Sequence, residues 1–468
     1  MASGEERTIK NKLLKTHILI PIALLLLLSC KEETSKKVFD LQISNVSVID
    51  EYGQLTTNSN VFIGSDTIGA IIETDSKDLP LALKAVDGKG KFLILGLWDN
   101  HVHFRGGETL IAQNEKFLKE YIKHGITTVR DAGGDLTTQV QQWNKEIQKG
   151  TRQGPTIFTS GPKLDGLKAR WAGSLPIVST EDIPKALDSL QQLEVDYVKL
   201  YESTLDGALY LDIIKQAEGR QMITSGHMPF TVSLDETIGA GIDNIEHLYY
   251  ILKGCSSQEA TITAKVKSGE LSFWSSMEAL IATYDETTAQ KTFARLKANK
   301  VSVTPTLHIG DVLSYLDEVN HDLDPYLKEL EPAYVKTYEG RIRGALSAST
   351  KTKENRKALQ QLFVRLANDL QEAGVSLLAG SDGGAYNSYI YPGISLHEEL
   401  KQMVVAGLTP AEALQTSTLN GSRFLHKEGY SMNPGAQADL VLLNKNPLEA
   451  IENTQAIELV IKNGKIIE

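Results

Sequence analysis

The chain has 468 residues, 41% of them hydrophobic and 23% charged, a balance that excludes long disorder, collagen and a polytopic membrane protein. Its 59 acidic residues against 48 basic ones give a formal net charge of -11, so nothing in the composition attracts phosphate backbones or anionic lipid, and nucleic acid is not an expected partner. The length suits several ordinary domains, or one α/β barrel of about 250 residues with a small companion.

At the N-terminus, Lys10, Lys12 and Lys15 precede the apolar stretch Ile18 to Leu28, and Ser29-Cys30 closes it. Basic, apolar and small residues in that order predict an export signal over residues 1–30. The stretch is too short to span a bilayer as a helix, which takes about twenty residues. Leu27-Leu28-Ser29-Cys30 resembles a bacterial lipoprotein box. That resemblance implies cleavage before Cys30, lipidation of its thiol, and an exported protein held at a membrane of the cell envelope; an ordinary signal peptide or an uncleaved anchor is the alternative. Residues 31–37 are polar and read as a tether. Cys255 lies mid-chain and is not an expected partner for Cys30.

From Phe39 to Ile72 the pattern is short and β-rich, with a turn at Glu51-Tyr52-Gly53. The C-terminus is similar: ADLVLLN and AIELVIKNGKII predict strands, with Asn463-Gly464 as a hairpin turn. Neither set is large enough to stand alone, so residues 38–90 and 431–468 are expected to form one small β-sandwich domain around a central insert. In that insert, residues 91–430, eight apolar runs recur: FLILGLWDNHVH, GITTVRDAGG, GPTIFTSG, DYVKLY, QMITSGH, NIEHLYY, VSVTPTLH and VSLLAGSD. Helical stretches separate most of them, among them Glu115 to His124, Thr180 to Leu193 and Ala358 to Ala373 with Gly374 as C-cap. Thr409-Pro410-Ala411-Glu412 is a capping box that starts a further helix. The fold class is therefore α/β, a parallel (β/α)8 TIM barrel. An open doubly wound sheet is the alternative, but no glycine-rich phosphate fingerprint opens a βα turn.

Barrel chemistry sits at the C-terminal ends of the strands. The first run ends in His101-Val102-His103, whose alternation turns both imidazoles to one side. The fourth contains Lys199, the fifth ends in His227, the sixth carries His247 and the eighth ends in Asp382. Each is weak alone, since a single histidine is more often structural. Together they are a candidate metal centre, because four of only 10 histidines fall where a barrel would aim them. His308, at the end of run seven, could polarise a carbonyl or bind a carboxylate. Tyr201 shares the inward face with Lys199, with barrel packing as its plainer role. Arg130 and Arg170 are candidate anion clamps, although Arg130 could instead pair internally with Asp131.

LGLWDNHVHF, GITTVRDAGG, YVKLY, GHMP, NIEHL, LLAGSDGG, AGLTPAEALQTST and GAQADLVLLNKNP, in this order, resemble the amidohydrolase superfamily in its imidazolonepropionase-related, dipeptidase-like (prolidase-like) branch. The resemblance implies that His101, His103 and Asp382 bind one divalent ion, that His227 and His247 bind a second, and that a carboxylated Lys199 bridges both. Zinc is the metal these imidazole and carboxylate ligands suit best. It further implies that a metal-bridging hydroxide attacks an amide C–N bond of a dipeptide or N-acyl amino acid, with Asp382 as the proton carrier and Tyr201 as a substrate-carboxylate contact. A lactam hydrolase or deaminase of the same superfamily, and a non-catalytic ligand-binding surface lipoprotein, are the alternatives. YVKLY argues against imidazolonepropionase activity, because those enzymes look mononuclear and lack the lysine. Leu95 stands where the family usually has proline, and Cys255 to Lys300 matches no family segment. Without carboxylation, Lys199 would be one half of a buried ion pair with a carboxylate such as Glu202.

Overall fold

A computed structural model describes residues 37–467. Cys30, the expected signal and all but the last residue of the tether lie outside them. Among the described residues no helix is long and apolar enough to cross a membrane.

Both termini contribute to one hydrogen-bonded sheet of eight strands. Its pivot is Val38–Ile49, which pairs antiparallel with Leu55–Gly64 along one edge. Along the other edge it pairs in parallel first with Leu81–Asp87 and then with Phe92–Leu95. Phe92–Leu95 carries the sheet on to the C-terminal strands Leu440–Leu443, Ile457–Lys462 and Lys465–Ile467. The alternating positions Ile43, Val61, Ile63, Leu93, Leu440, Leu442 and Ile461 are 0% exposed and form the core of this small β-domain, each such side chain worth about 1.5–3 kcal/mol once buried. Sequence places Phe92–Leu95 in the first barrel run. The chain instead breaks at Gly96, where a Cβ would fall 2.1 Å from Thr127 Oγ1, and only the residues after it enter the barrel.

The Asn463-Gly464 hairpin forms as expected, with φ of 50° and 73°, the left-handed pair that two-residue turns require. A Cβ on Gly464 would also lie 1.9 Å from the Ser65 carbonyl oxygen. Gly464→Ala is therefore expected to cost about 1–3 kcal/mol, read as a lower denaturant midpoint at unchanged m-value. An unchanged midpoint would mean that the turn relaxes freely.

The barrel strands are β1 (Leu97–Val102), β2 (Ile126–Asp131), β3 (Thr156–Thr159), β4 (Val198–Leu200), β5 (Thr224–Gly226), β6 (Asn244–Glu246) and β7 (Ser302–Thr304). β1 to β3 form one parallel arc and β4 to β7 another. The eighth run, 375–382, closes the ring through single bridges, Leu377 to Val303 and Gly383 to Val102. Gly380 lets it approach, since a Cβ there would sit 2.5 Å from that of His101. Buried Asp99 clamps the same seam, its carboxylate accepting hydrogen bonds from the Ser381 N–H at 2.9 Å and the Ser381 hydroxyl at 2.6 Å.

The expected helices are present as Ile111–Lys123, Asp182–Gln192 and Thr350–Ala373, the last ending at left-handed Gly374. The Thr409–Glu412 capping box opens Pro410–Thr416. Between β6 and β7, the segment from Cys255 to Lys300 folds as three helices, Glu259–Lys267, Phe273–Ala282 and Glu286–Ala298. Cys255 is a buried free thiol before them.

Candidate metal centre

Barrel alternation brings the sequence-predicted residues together. His101, His103 and Asp382 offer ligand atoms within 4.8 Å of one another: Asp382 Oδ1 lies 3.1 Å from His103 Nε2 and 3.5 Å from His101 Nε2. The His247 ring stands 5.2 Å from that of His101 and 4.8 Å from that of His227. Lys199, 0% exposed, lies among them; its charge bears on His101, His227 and His247. Asp382 and His247 take φ of 58° and 68°, a conformation that non-glycine residues adopt at some energetic cost and that clusters at functional sites. Backbone bonds hold them there, Asp382 N–H to the His101 carbonyl and His247 N–H to the Thr304 carbonyl, each 2.8 Å.

Burial governs the protonation of the cluster. It pulls His103, His227 and His247 well below the usual imidazole range and His101 down to about 4, so all four rings are neutral, the form that ligates metal. Burial, with Lys163 and Arg130 nearby, also pulls the Lys199 ammonium well below its ordinary value. Asp382 goes the other way. Burial would raise it, but the facing imidazoles of His101 and His103 hold it well below the usual carboxylate range.

The donor set fits divalent cations. His103 Nδ1 lies 2.9 Å from the Gly133 carbonyl oxygen, which can only accept, so Nδ1 carries the proton and Nε2 presents a lone pair to the Asp382 carboxylate. Two facing lone pairs require a proton or a cation between them, and burial disfavours the proton. Both ring nitrogens of His101 are buried without a hydrogen-bond partner, atoms of the type that a bound ion satisfies.

Several neighbours were not legible as site residues. Glu246, 0% exposed, contacts Lys199 Nζ and lies 3.5 Å from His101 Nδ1, while Ser225 donates to it at 2.7 Å. The buried partner of Lys199 is thus Glu246. Glu202 lies 2.8 Å from His227 Nδ1 and accepts from the Tyr250 hydroxyl at 2.7 Å, with burial pushing its carboxyl up to about 7. Asn387 donates to Asp382 Oδ1 at 2.8 Å and orients it.

Tyr201 reaches the site, its ring 4.2 Å from that of His227. His308 does not join it. The chain turns at Thr306 and continues as the helix Leu307–Ser314, and the charges acting on His308 are His321, Lys401 and Asp324. Arg130 is no substrate clamp either, being 0% exposed and bonded to Ser225 and Thr304 across the barrel interior; its nearest carboxylate is that of Glu246, at 3.6 Å, and not that of Asp131. Arg170 does line the open pocket of about 570 Å³.

The family model for the amidohydrolase family matches residues 92–467. Among solved structures, an Xaa-Pro dipeptidase with bound methionine in its active site is 17% identical, with 92% of this chain and 99% of that one covered at a TM-score of 0.66. A prolidase complexed with N-methylphosphonate-L-proline is 20% identical, with coverage of 92% and 99% and a TM-score of 0.64. Ochratoxinase from A. niger is 19% identical, with coverage of 91% and 95% and a TM-score of 0.65. At these identities the likeness is one of fold. No curated protein matches the chain by sequence.

Proposed function

From the premise that the chain belongs to the amidohydrolase family, we propose that it is a binuclear metal-dependent hydrolase of amide C–N bonds, acting on dipeptides or N-acyl amino acids. The observation that carries this reading is the convergence of four histidines, the Asp382 carboxylate and a buried Lys199 at the strand ends. His101, His103 and Asp382 would hold one ion and His227 and His247 the other, zinc being the metal that suits them. Lys199 would join the two after its neutral amine adds to carbon dioxide, forming an N–C bond, releasing one proton and leaving an anionic carbamate. Ions held there acidify water and polarise a carbonyl oxygen.

The chain's own residues do the rest. Asp382, fixed by Asn387 and kept ionised, is placed to take a proton from the attacking water and to return it to the departing amine nitrogen. The Gly133 carbonyl fixes the ring of His103, and the Thr306 hydroxyl, 2.7 Å from His247 Nδ1, fixes that of His247; such partners orient a ligand and set its basicity. Tyr201, against His227, would receive a substrate carboxylate. The test is to load purified protein with zinc and bicarbonate and to screen dipeptide and N-acyl amino acid libraries for amine release. Turnover of one such class is the expected result. A fully loaded protein that opens only lactams or releases only ammonia would replace the reading with one of those activities.

We further propose that the protein is exported and lipidated at Cys30, on the sequence order described above. Cys30→Ser should move activity from the membrane fraction to the soluble one or leave an unprocessed precursor. A wild-type N-terminus that mass spectrometry finds unlipidated would make plain secretion the better reading.

A further inference from the structure

The pocket beside the metal centre carries an excess of positive charge that the hydrolytic site does not use. Arg105, Arg170 and Arg341 line it together with Trp171. The Arg105 guanidinium stands 4.0 Å from the Trp171 ring centre, that of Arg170 5.5 Å, and the Lys163 ammonium 5.2 Å from the same ring. Two guanidinium groups and the Lys163 amine, which burial pulls down to about 7, thus share one indole, and Arg341 faces the same space from the helix Glu339–Leu346.

Two of these groups are buried, and neither has a hydrogen-bonded carboxylate. Lys163 is 2% exposed and Arg105 4%; Lys163 Nζ and one Arg105 nitrogen, Nη2, are buried with no hydrogen-bond partner. Arg105 Nε is spent on the Ala385 carbonyl at 2.8 Å. Among the described residues no carboxylate lies within 4.0 Å of any of the four, whereas partly buried Arg220 has Asp188 at 2.6 Å and Arg152 sits between Glu115 and Glu146. The acid in the pocket lining, Asp135, accepts from the Gly106 N–H at 2.9 Å. Unpaired buried charge is costly and like charges repel, so an arrangement of this kind is stable in use only with an anion inside it. Guanidinium forks suit carboxylates. The cations come from three separate segments, the loop after β1, the segment after β3 and the helix carrying Arg341. With Tyr201 set to receive one carboxylate, these groups are free for a second.

We propose that this pocket receives the departing half of the substrate and selects one with two carboxylates, so that the preferred substrates are acyl-aspartates and acyl-glutamates, including dipeptides ending in Asp or Glu. The inference rests on the amide-hydrolase reading above and adds a substrate class to it. Arg105, Lys163, Arg170 and Arg341 are its specificity residues.

The test uses metal-loaded full-length protein and matched pairs, Ala-Glu against Ala-Gln and Ala-Asp against Ala-Asn. The acids should be preferred by at least about tenfold in kcat/KM, since a site built for a charged group rejects the analogue that lacks it. Rising salt should shrink the ratio. Arg170 is exposed and Arg341 only partly buried, so neither Arg170→Gln nor Arg341→Gln should disturb folding, and each should bring the Glu/Gln ratio towards one. Calorimetry with free L-glutamate and L-glutamine provides a readout independent of turnover, with glutamate expected to bind more tightly. Equal kcat/KM for acid and amide in the wild type overturns the acidic pocket and leaves the amide-hydrolase reading standing. Tight glutamate binding with no hydrolysis of any dipeptide or acyl amino acid overturns that reading and keeps the pocket.

Discussion

Asp382→Asn is expected to lower kcat by about 10² to 10⁴, the usual contribution of a positioned general acid or base, while most of the bound metal is retained. The substitution keeps volume and one oxygen. Asn387 can still donate to that oxygen, so the side chain stays oriented as Asp382 is now, 3.1 Å from His103 Nε2. What the amide loses is the ability to accept a proton at neutral pH. Metal content by elemental analysis and kcat on the best amide substrate, measured on one preparation, separate the two roles. A variant with both ions and near-normal turnover would reduce Asp382 to a ligand and move the base elsewhere.

The parts of the site legible in the sequence are those whose residue type and place at a strand end point to metal binding, His247 and Asp382 included although both take positive φ. His101 lies on β1 and His103 just past its end, and both reach Asp382 even though the pairing of β1 shifts register between Asp99 and Val102. Lys199 lies on β4 and Tyr201 just past it. The parts that were not legible carried no such signal. Glu246 immediately precedes His247, and strict alternation would send one of them out of the barrel. The φ of 68° at His247 breaks the pattern and brings both to the centre. His308 fails for a related reason: left-handed Thr306, φ 52°, ends the strand early and puts the histidine on a helix.

The fold was legible for a different reason. Eight apolar runs and their helices specify a barrel even when one run, 375–382, makes only single bridges. The assignment of Phe92–Leu95 could not be read, because its apolar residues suit either sheet and only the contact of Gly96 with Thr127 marks the break. Of the cationic pocket only Arg170, a candidate anion clamp, was legible in the sequence. Its residues lie between positions 105 and 341 with no shared spacing, and the loops after two different strands bring them to Trp171.

Lys199→Ala is expected to cost at least about 10²-fold in turnover and to leave fewer than two ions per chain, since even partners that only orient metal ligands are worth 10–100-fold. The argument starts from burial. The lysine is 0% exposed, with Lys163 and Arg130 adding to desolvation and pulling its ammonium well below the ordinary value, which favours the neutral amine that takes up carbon dioxide. With alanine the anionic bridge is gone but the space remains, so a short carboxylic acid added to the buffer should recover part of the activity by supplying an anion there. Carbon-13 NMR of wild-type protein loaded with labelled bicarbonate should give a carbamate signal that the variant lacks. The contact with Glu246 offers the competing account, in which the two residues are a buried ion pair. In that case alanine would strand a buried carboxylate, and stability would fall by about 3–5 kcal/mol while metal content and turnover per folded molecule stayed the same. Loss of metal with acid rescue supports the bridge, and loss of stability with two ions retained would make Lys199 a structural partner of Glu246.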